Sequence, residues 1–311
     1  MRTSTPHPDH DEPGGRALPS AILVRRVVVI GAGLIGTSIA LAMSARGTTV
    51  WLTDRDPATA ELAAGLGAGK VLDDSADHPA DLAILAVPPA AVATTLRDAQ
   101  KCGLARIYTD VASVKAGPLA EAARLGCDMS VFVGGHPMGG RERSGPAAAR
   151  ADLFLGRPWA LCPSDQCDAS AIGVVSALVR GCGARPLIVD AAAHDQAVAL
   201  VSHAPHVVSS AMAARFGDAP ESVLGLVGQG VRDVTRIAAG DPQLWLGILA
   251  ANAGPVAEVL EDVSHDLALT ASALRERSIG ETAGAVDVCA DVTDLLLRGE
   301  KGRARITGQA R

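Results

Sequence analysis

The chain has 311 residues, 48% hydrophobic and 20% charged, with a formal net charge of −6. That is enough apolar material for two domains, and too apolar a composition for a disordered chain. The acidic balance argues against a polyanion partner, so no nucleic-acid binding is expected and any anionic ligand must be held by a few placed cations.

Residues 1–20 are polar, proline-containing and charged, and read as a disordered tail rather than a signal peptide. The apolar stretch 21–43 is broken by Arg25, Arg26 and three glycines, which excludes a membrane span there. From residue 26 to about 190, short β-branched runs alternate with alanine-rich helical segments. This is the grammar of a doubly wound parallel α/β sheet. Strands are predicted at 27–30, 49–53, 82–87, 106–110, 129–133, 159–162 and 186–189. Asp56-Pro57 marks a helix start, with the carboxylate as cap and proline in the first turn, and Pro118 is read in the same way for a helix ending near Leu125. After Asp190 the strand signals stop. Residues 191–216 and 244–274 are long Ala/Val/Leu-rich helical stretches, apolar around more of their circumference than a domain of that size buries alone. The predicted organisation is a dinucleotide-binding domain over 21–190 and an all-helical substrate and dimerisation domain over 191–311. A homodimer packed through the helices is the expected assembly. Six scattered cysteines without a C-x-x-C pair read as reduced thiols of a cytoplasmic protein.

The first chemical motif is Gly31-Ala32-Gly33-Leu34-Ile35-Gly36, between a predicted strand and a helix. Gly31 permits a tight turn, Gly33 lets a pyrophosphate approach the backbone, and Gly36 lets helix and strand pack closely. The free N–H groups of the helix then face the phosphates. Asp54 ends the next strand, where a carboxylate holds ribose hydroxyls and repels the extra phosphate of NADP. NAD is therefore the expected cofactor, with Arg55 read as a surface residue although it is able to accept that phosphate.

Three further segments, Leu85-Ala86-Val87-Pro88-Pro89, 109–115 (TDVASVK) and 134–140 (GGHPMGG), stand at or just beyond predicted strand ends. In a doubly wound sheet those ends open onto one crevice, so Val87 and Pro88 are expected beside the cofactor. His136, in a glycine-flanked loop, is the candidate acid/base. Ser113 is placed to hydrogen-bond the histidine and a substrate hydroxyl, or to cap the following helix. Lys115 reads either as an anion contact or as a surface lysine.

In the helical domain, Pro205 in Ser202-His203-Ala204-Pro205-His206 should kink its helix and expose polar groups as a pocket wall. His203 suits a satisfied core position and His206 a substrate contact. No metal is expected, because no third ligand follows with recognisable spacing. Arg236 lies three residues after Asp233, which is able to hold its guanidinium for a two-pronged grip on a carboxylate. A surface ion pair is the alternative.

Together these residues resemble the prephenate/arogenate dehydrogenase family from about Arg26 to Leu274. The resemblance rests on GAGLIG (31–36), TDVASVK (109–115), VGGHPMGG (133–140), Glu142 with Gly145, Leu153-Phe154, Trp159, Asp195 before SHAPH (202–206), and RDVTRIA (232–238) followed by Asp241-Pro242 and Trp245. It implies a Rossmann-type domain followed by a helical dimerisation domain, and NAD-dependent oxidative decarboxylation of prephenate in tyrosine biosynthesis. It also implies His136 as catalytic base, Ser113 on the same hydroxyl, Arg236 on the substrate carboxylate, His206 facing the substrate and Glu142 at the pocket mouth. Arg141 and Ala204 depart from the family's usual small hydroxyl residue and leucine, which leaves arogenate or an amino-substituted prephenate as alternative substrates. A β-hydroxyacid dehydrogenase would be expected to carry a catalytic lysine in the helical domain, where only Lys301 follows Asp190; an imino-acid reductase should lack the GGHPM segment. A non-catalytic NAD-binding sensor would need neither His136 nor Arg236.

Overall fold

The computed structural model describes residues 24–73, 79–139, 144–279 and 288–308. The tail expected at 1–20 and Glu142 lie outside the described residues. The sheet-forming part runs β1 (Arg26–Ile30), α1 (Leu34–Ser44), β2 (Thr49–Thr53), α2 (Pro57–Gly65), β3 (Lys70–Val71), β4 (Ala80–Leu85), α3 (Val92–Lys101), β5 (Ala105–Asp110), α4 (Ala116–Arg124), β6 (Phe132–Pro137), β7 (Pro158–Pro163), α5 (Ala169–Gly181) and β8 (Arg185–Ile188). The strands form one sheet in the order β3-β2-β1-β4-β5-β6-β7-β8. Pairing is parallel except between β6 and β7.

Both faces of this sheet are covered, which is why its central strands read as unbroken apolar runs. Val27 and Val29 of β1 pack into one core with α1, α2 and α5, while Val28 packs into the other with α3 and α4. The chain order reverses at β1, so the carboxyl ends of β1 and β4, paired at Ile30 and Leu85, flank the crevice where such sheets take ligands. The expected Asp56 cap is present: its carboxylate accepts the Ala58 N–H at the start of α2. Pro118 is the third residue of α4 and lies, as expected, in its first turn.

The helical part follows as α6 (Ala191–Val198), a π-helical turn (Ala199–His203), α7 (Ala204–Ala213), α8 (Glu221–Leu224), α9 (Gln229–Thr235), α10 (Pro242–Ala251), α11 (Ala253–Ile279) and α12 (Val288–Ile306). The break expected at Pro205 takes the form of that π turn. The Ala204 N–H reaches back five residues to the Ala199 carbonyl, and the wider turn precedes the residue that lacks an N–H. The run Ala191–Phe216 contains an 18-residue window of mean hydropathy 1.3 and is long enough to cross a membrane, by length and composition only. Its buried residues include His194, Asp195, His203 and His206.

Candidate active site

At the end of β1, Gly31 has φ +102°, and a Cβ there would stand 2.3 Å from the Ala86 carbonyl oxygen. A Cβ on Gly36 would stand 2.0 Å from the Gly31 oxygen, so glycine alone lets the loop, α1 and β4 approach this closely. At Gly33, the residue preceding α1, the same position faces open space. The Asp54 carboxylate accepts the N–H of Ala32 at 2.7 Å and of Asp56 at 3.0 Å, which fixes it beside the glycine loop. Arg55 is exposed. Leu34, Ile35 and Val87 are partly buried around this loop and Pro88 is exposed at its edge. An open glycine at a helix N-terminus, with a carboxylate one strand away, fits a dinucleotide's pyrophosphate and ribose.

His136 does not sit in a loop. β6 begins at Phe132, not at Met129, and continues through Gly134-Gly135-His136-Pro137, where His136 pairs with Ala160 of the antiparallel β7. Glycines and a proline hid this strand from a reading based on propensity. Lys115 is the second correction, being neither a surface lysine nor free for an anion. It is fully buried, ion-paired with Asp110 and bonded to the Gly135 carbonyl at 2.8 Å. Asp110 in turn accepts the N–H of Gly135 at 2.9 Å and of Ala112 at 3.0 Å. The carboxyl end of β5 and the middle of β6 are thereby locked together immediately before His136.

The helical part completes the site. Nδ1 of His136 lies 2.9 Å from Nε2 of His194 on α6, and Nδ1 of His194 lies 2.8 Å from the Asp195 carboxylate. Asp195 also accepts the backbone N–H of Lys115 at 2.8 Å and of Ala116 at 2.9 Å. The start of α4 is therefore capped from the other domain and not by Ser113, which is partly buried and, among the described residues, makes no hydrogen bond to His136. Asn252 supports the chain from beneath: its Nδ2 donates to the Asp195 carbonyl at 2.8 Å and lies 3.0 Å from Nδ1 of His203. His203 is thus the satisfied core histidine the sequence suggested.

The electrostatics follow from these contacts. Burial, reinforced by His194, Lys115 and His203, holds the His136 imidazole well below its ordinary pKa. Burial works to raise the Asp195 carboxyl, but hydrogen bonds from His194 and from the Ala116 and Lys115 amides outweigh it and keep Asp195 below the usual carboxylate range. Burial pushes His203 down to about 4.

His206 is buried and stacks on Trp245 of α10, ring centroids 3.6 Å apart and planes 10° from parallel. Its ring also bonds the backbone of Ile237, the residue after Arg236, while burial lowers its pKa. Gly240 closes this corner, since a Cβ there would stand 2.4 Å from Nε1 of Trp245. Arg236 is exposed in the single chain at the start of the 3-10 turn Arg236–Ala239. Asp233, expected to steady it, accepts a hydrogen bond from Gln229 at 2.7 Å. The structure therefore brings His136 together with His194 and Asp195, and His206 together with Trp245 and the Arg236 turn. Sequence reasoning missed His194, and Asn252 that supports Asp195, altogether. The adjacent pair His194-Asp195, one helical turn inside a helix capped by Asp190, was the available signal.

Comparison with known proteins covers most of the chain. Residues 39–188 match a family model described as prephenate dehydrogenase, nucleotide-binding domain, and residues 190–282 one described as prephenate dehydrogenase, dimerization domain. The chain is 40% identical over 287 residues to the Streptomyces niveus protein named "Probable prephenate dehydrogenase NovF", covering 92% of this chain and 78% of that protein. It is 32% identical over 255 residues to the cyclohexadienyl dehydrogenase of Zymomonas mobilis, covering 78% and 86%. Among solved structures, Synechocystis arogenate dehydrogenase superposes with a TM-score of 0.72 at 27% identity, covering 90% of this chain and 99% of that one.

Proposed function

The chain belongs to the prephenate dehydrogenase family, and on that premise we propose that it catalyses the NAD-dependent oxidative decarboxylation of prephenate to 4-hydroxyphenylpyruvate in tyrosine biosynthesis. The observation that carries the reading is the position of His136. It stands on the nucleotide-binding sheet, with one ring nitrogen engaged by the helical domain and, among the described residues, no hydrogen bond at the other, which this reading gives to the substrate.

In this reading the glycine loop Gly31, Gly33 and Gly36 and the start of α1 take the pyrophosphate. Asp54 takes the adenosine ribose, and Leu34, Ile35, Val87 and Pro88 line the cofactor. NAD, when bound, accepts the hydride that leaves the substrate's carbinol carbon. His136 takes the hydroxyl proton and Ser113 holds the same oxygen. Arg236 grips a carboxylate, His206 forms a wall stiffened by Trp245, and Glu142 guards the mouth. Loss of CO2 then makes the ring aromatic, so no metal is needed. A homodimer through the helical domain, in the cytoplasm, completes the proposal; the family model's own description of that domain supports the dimer. The described cysteines are free thiols, which suits a reducing compartment.

Relatives named for arogenate and for cyclohexadienyl substrates make the side-chain preference the sharpest test. Purified protein should reduce NAD with prephenate at a kcat/KM above that with arogenate, and above that with NADP. A higher kcat/KM with arogenate would transfer the proposal to that substrate.

A further inference from the structure

We infer that His194 and Asp195, carried by α6 of the helical domain, set the tautomer of His136 and receive its proton during turnover. The inference rests on the reading of His136 as the base that takes the substrate's hydroxyl proton.

The tautomer follows from the contacts in sequence. The Asp195 carboxylate already accepts two backbone N–H groups, from Lys115 and Ala116, an environment that holds it ionised. An ionised carboxylate only accepts, so its 2.8 Å contact with His194 requires the proton on Nδ1 of His194. Neutral His194 then has its lone pair on Nε2. The 2.9 Å contact with His136 therefore requires His136 to donate from Nδ1. Neutral His136, with its proton on Nδ1, has a lone pair on Nε2 alone. The tautomer that makes His136 a base is thus dictated from the second domain, through a carboxylate that also caps the first.

The same chain has a direction for the proton. When the substrate O–H bond breaks, the proton forms an N–H bond at Nε2 of His136, and the hydride leaves the carbinol carbon with its electron pair for the nicotinamide. The Nδ1–H bond of His136 then breaks and its proton forms an N–H bond at Nε2 of His194. His136 is neutral again, and the positive charge rests on His194 against the Asp195 carboxylate. A cation kept on His136 would instead be buried and would face Lys115 and His203. The other titratable groups around the pair do not compete for the proton. Asp110 is ion-paired with Lys115, and Cys162, pushed up to about 12 by burial, stays a thiol. His194 is in this sense a positioning residue, acting only through His136.

Two measurements test this. In the cofactor-free protein, histidine side-chain 15N spectra should show His136 and His194 both protonated at Nδ1 and bare at Nε2 at neutral pH. A His136 protonated at Nε2 overturns the inference. The second measurement is the pH profile of His194→Gln, whose amide oxygen is able to accept from His136 but whose side chain takes no proton. Its kcat should fall by roughly 10–100-fold, somewhat below the usual worth of general base catalysis. KM for prephenate, NAD affinity and Tm should stay near those of the unmodified protein. Because His136 would then titrate alone in a site that disfavours its cation, the acid limb of kcat/KM should move to lower pH. An acid limb that stays in place, or a loss confined to Tm and KM, leaves His194 a structural residue and overturns the inference. Failure of the functional reading looks different: the unmodified protein would form no NADH from prephenate, whatever the tautomers are.

Discussion

The two halves of the molecule bury their residues by different rules. The sheet domain closes its own cores on both faces, with Val27, Leu82, Ile84, Phe132 and Trp159 fully buried. After Ala191 the buried apolar side chains among the described residues are only Val198, Ala199, Ala204, Ile248, Val256 and Ala273. They are matched by six buried polar ones, His194, Asp195, His203, His206, Ser209 and Asn252. Meanwhile Leu200, Val201, Leu246 and Leu296 are each more than 60% exposed. A globular domain on its own has the opposite balance, because burying polar groups costs free energy unless each is hydrogen-bonded. The contrast teaches where the halves join: His194 and Asp195 reach the first domain, the other four polar groups are held within the helical part, and the exposed apolar surface suits the proposed dimer.

The sharpest way to break the comparison is to remove the group at which the halves meet. His136→Asn should lower kcat by roughly 10²–10⁴, the usual worth of general base catalysis, with NAD affinity retained. Near-normal turnover at neutral pH would take His136 out of the chemistry. Arg236→Ala, in the helical half, comes next. Because the side chain is exposed in the single chain, its grip is partly screened by water, and kcat/KM should fall roughly 10–100-fold, mostly through KM. Arg236→Lys should recover only part, since an ammonium lacks the planar fork; an unchanged KM in Arg236→Ala would reduce it to a surface ion-pairing residue.

Smaller effects probe each half alone. The exposed leucines predict a dimer at micromolar concentration by light scattering, and Leu200→Glu combined with Leu246→Glu should shift it toward monomer. A monodisperse monomer of the unmodified protein would leave the exposed apolar face without an explanation. In the sheet half, Asp54→Ala should lower the preference for NAD over NADP several-fold, an amount of about 1 kcal/mol or less per lost hydroxyl contact. If the unmodified protein used NADP better, Arg55 would be the governing residue.

The two halves also differed in how far they could be read before the structure. In the sheet domain, local signals sufficed for most elements: short apolar or β-branched runs at β1, β2, β4, β5 and β7, glycines at the first turn, and Asp56 as a cap. The failures were equally local. β3 is only the two residues Lys70–Val71, too short for any period, and the true extent of β6 is masked because Gly134, Gly135 and Pro137 look like loop. The helical domain was legible as helix but not as a site. His194 sits 58 residues from His136, Asp195 80 from Lys115, and Asn252 57 from Asp195. No periodicity spans such separations, and a histidine in an alanine-rich helix carries no local mark of its partner. The buried pairing of Lys115 is invisible in the sequence for the same reason. Its partners, Asp110 and the Gly135 carbonyl, come together only when β5 and β6 pair.

Whether chemistry occurs where the halves meet is decided by a single-turnover experiment. With the unmodified protein and NAD both in excess over prephenate, one NADH and one CO2 should form per prephenate, with 4-hydroxyphenylpyruvate as product. NAD bound at the glycine loop with no hydride transferred would contradict it and leave a protein that binds the dinucleotide without using it.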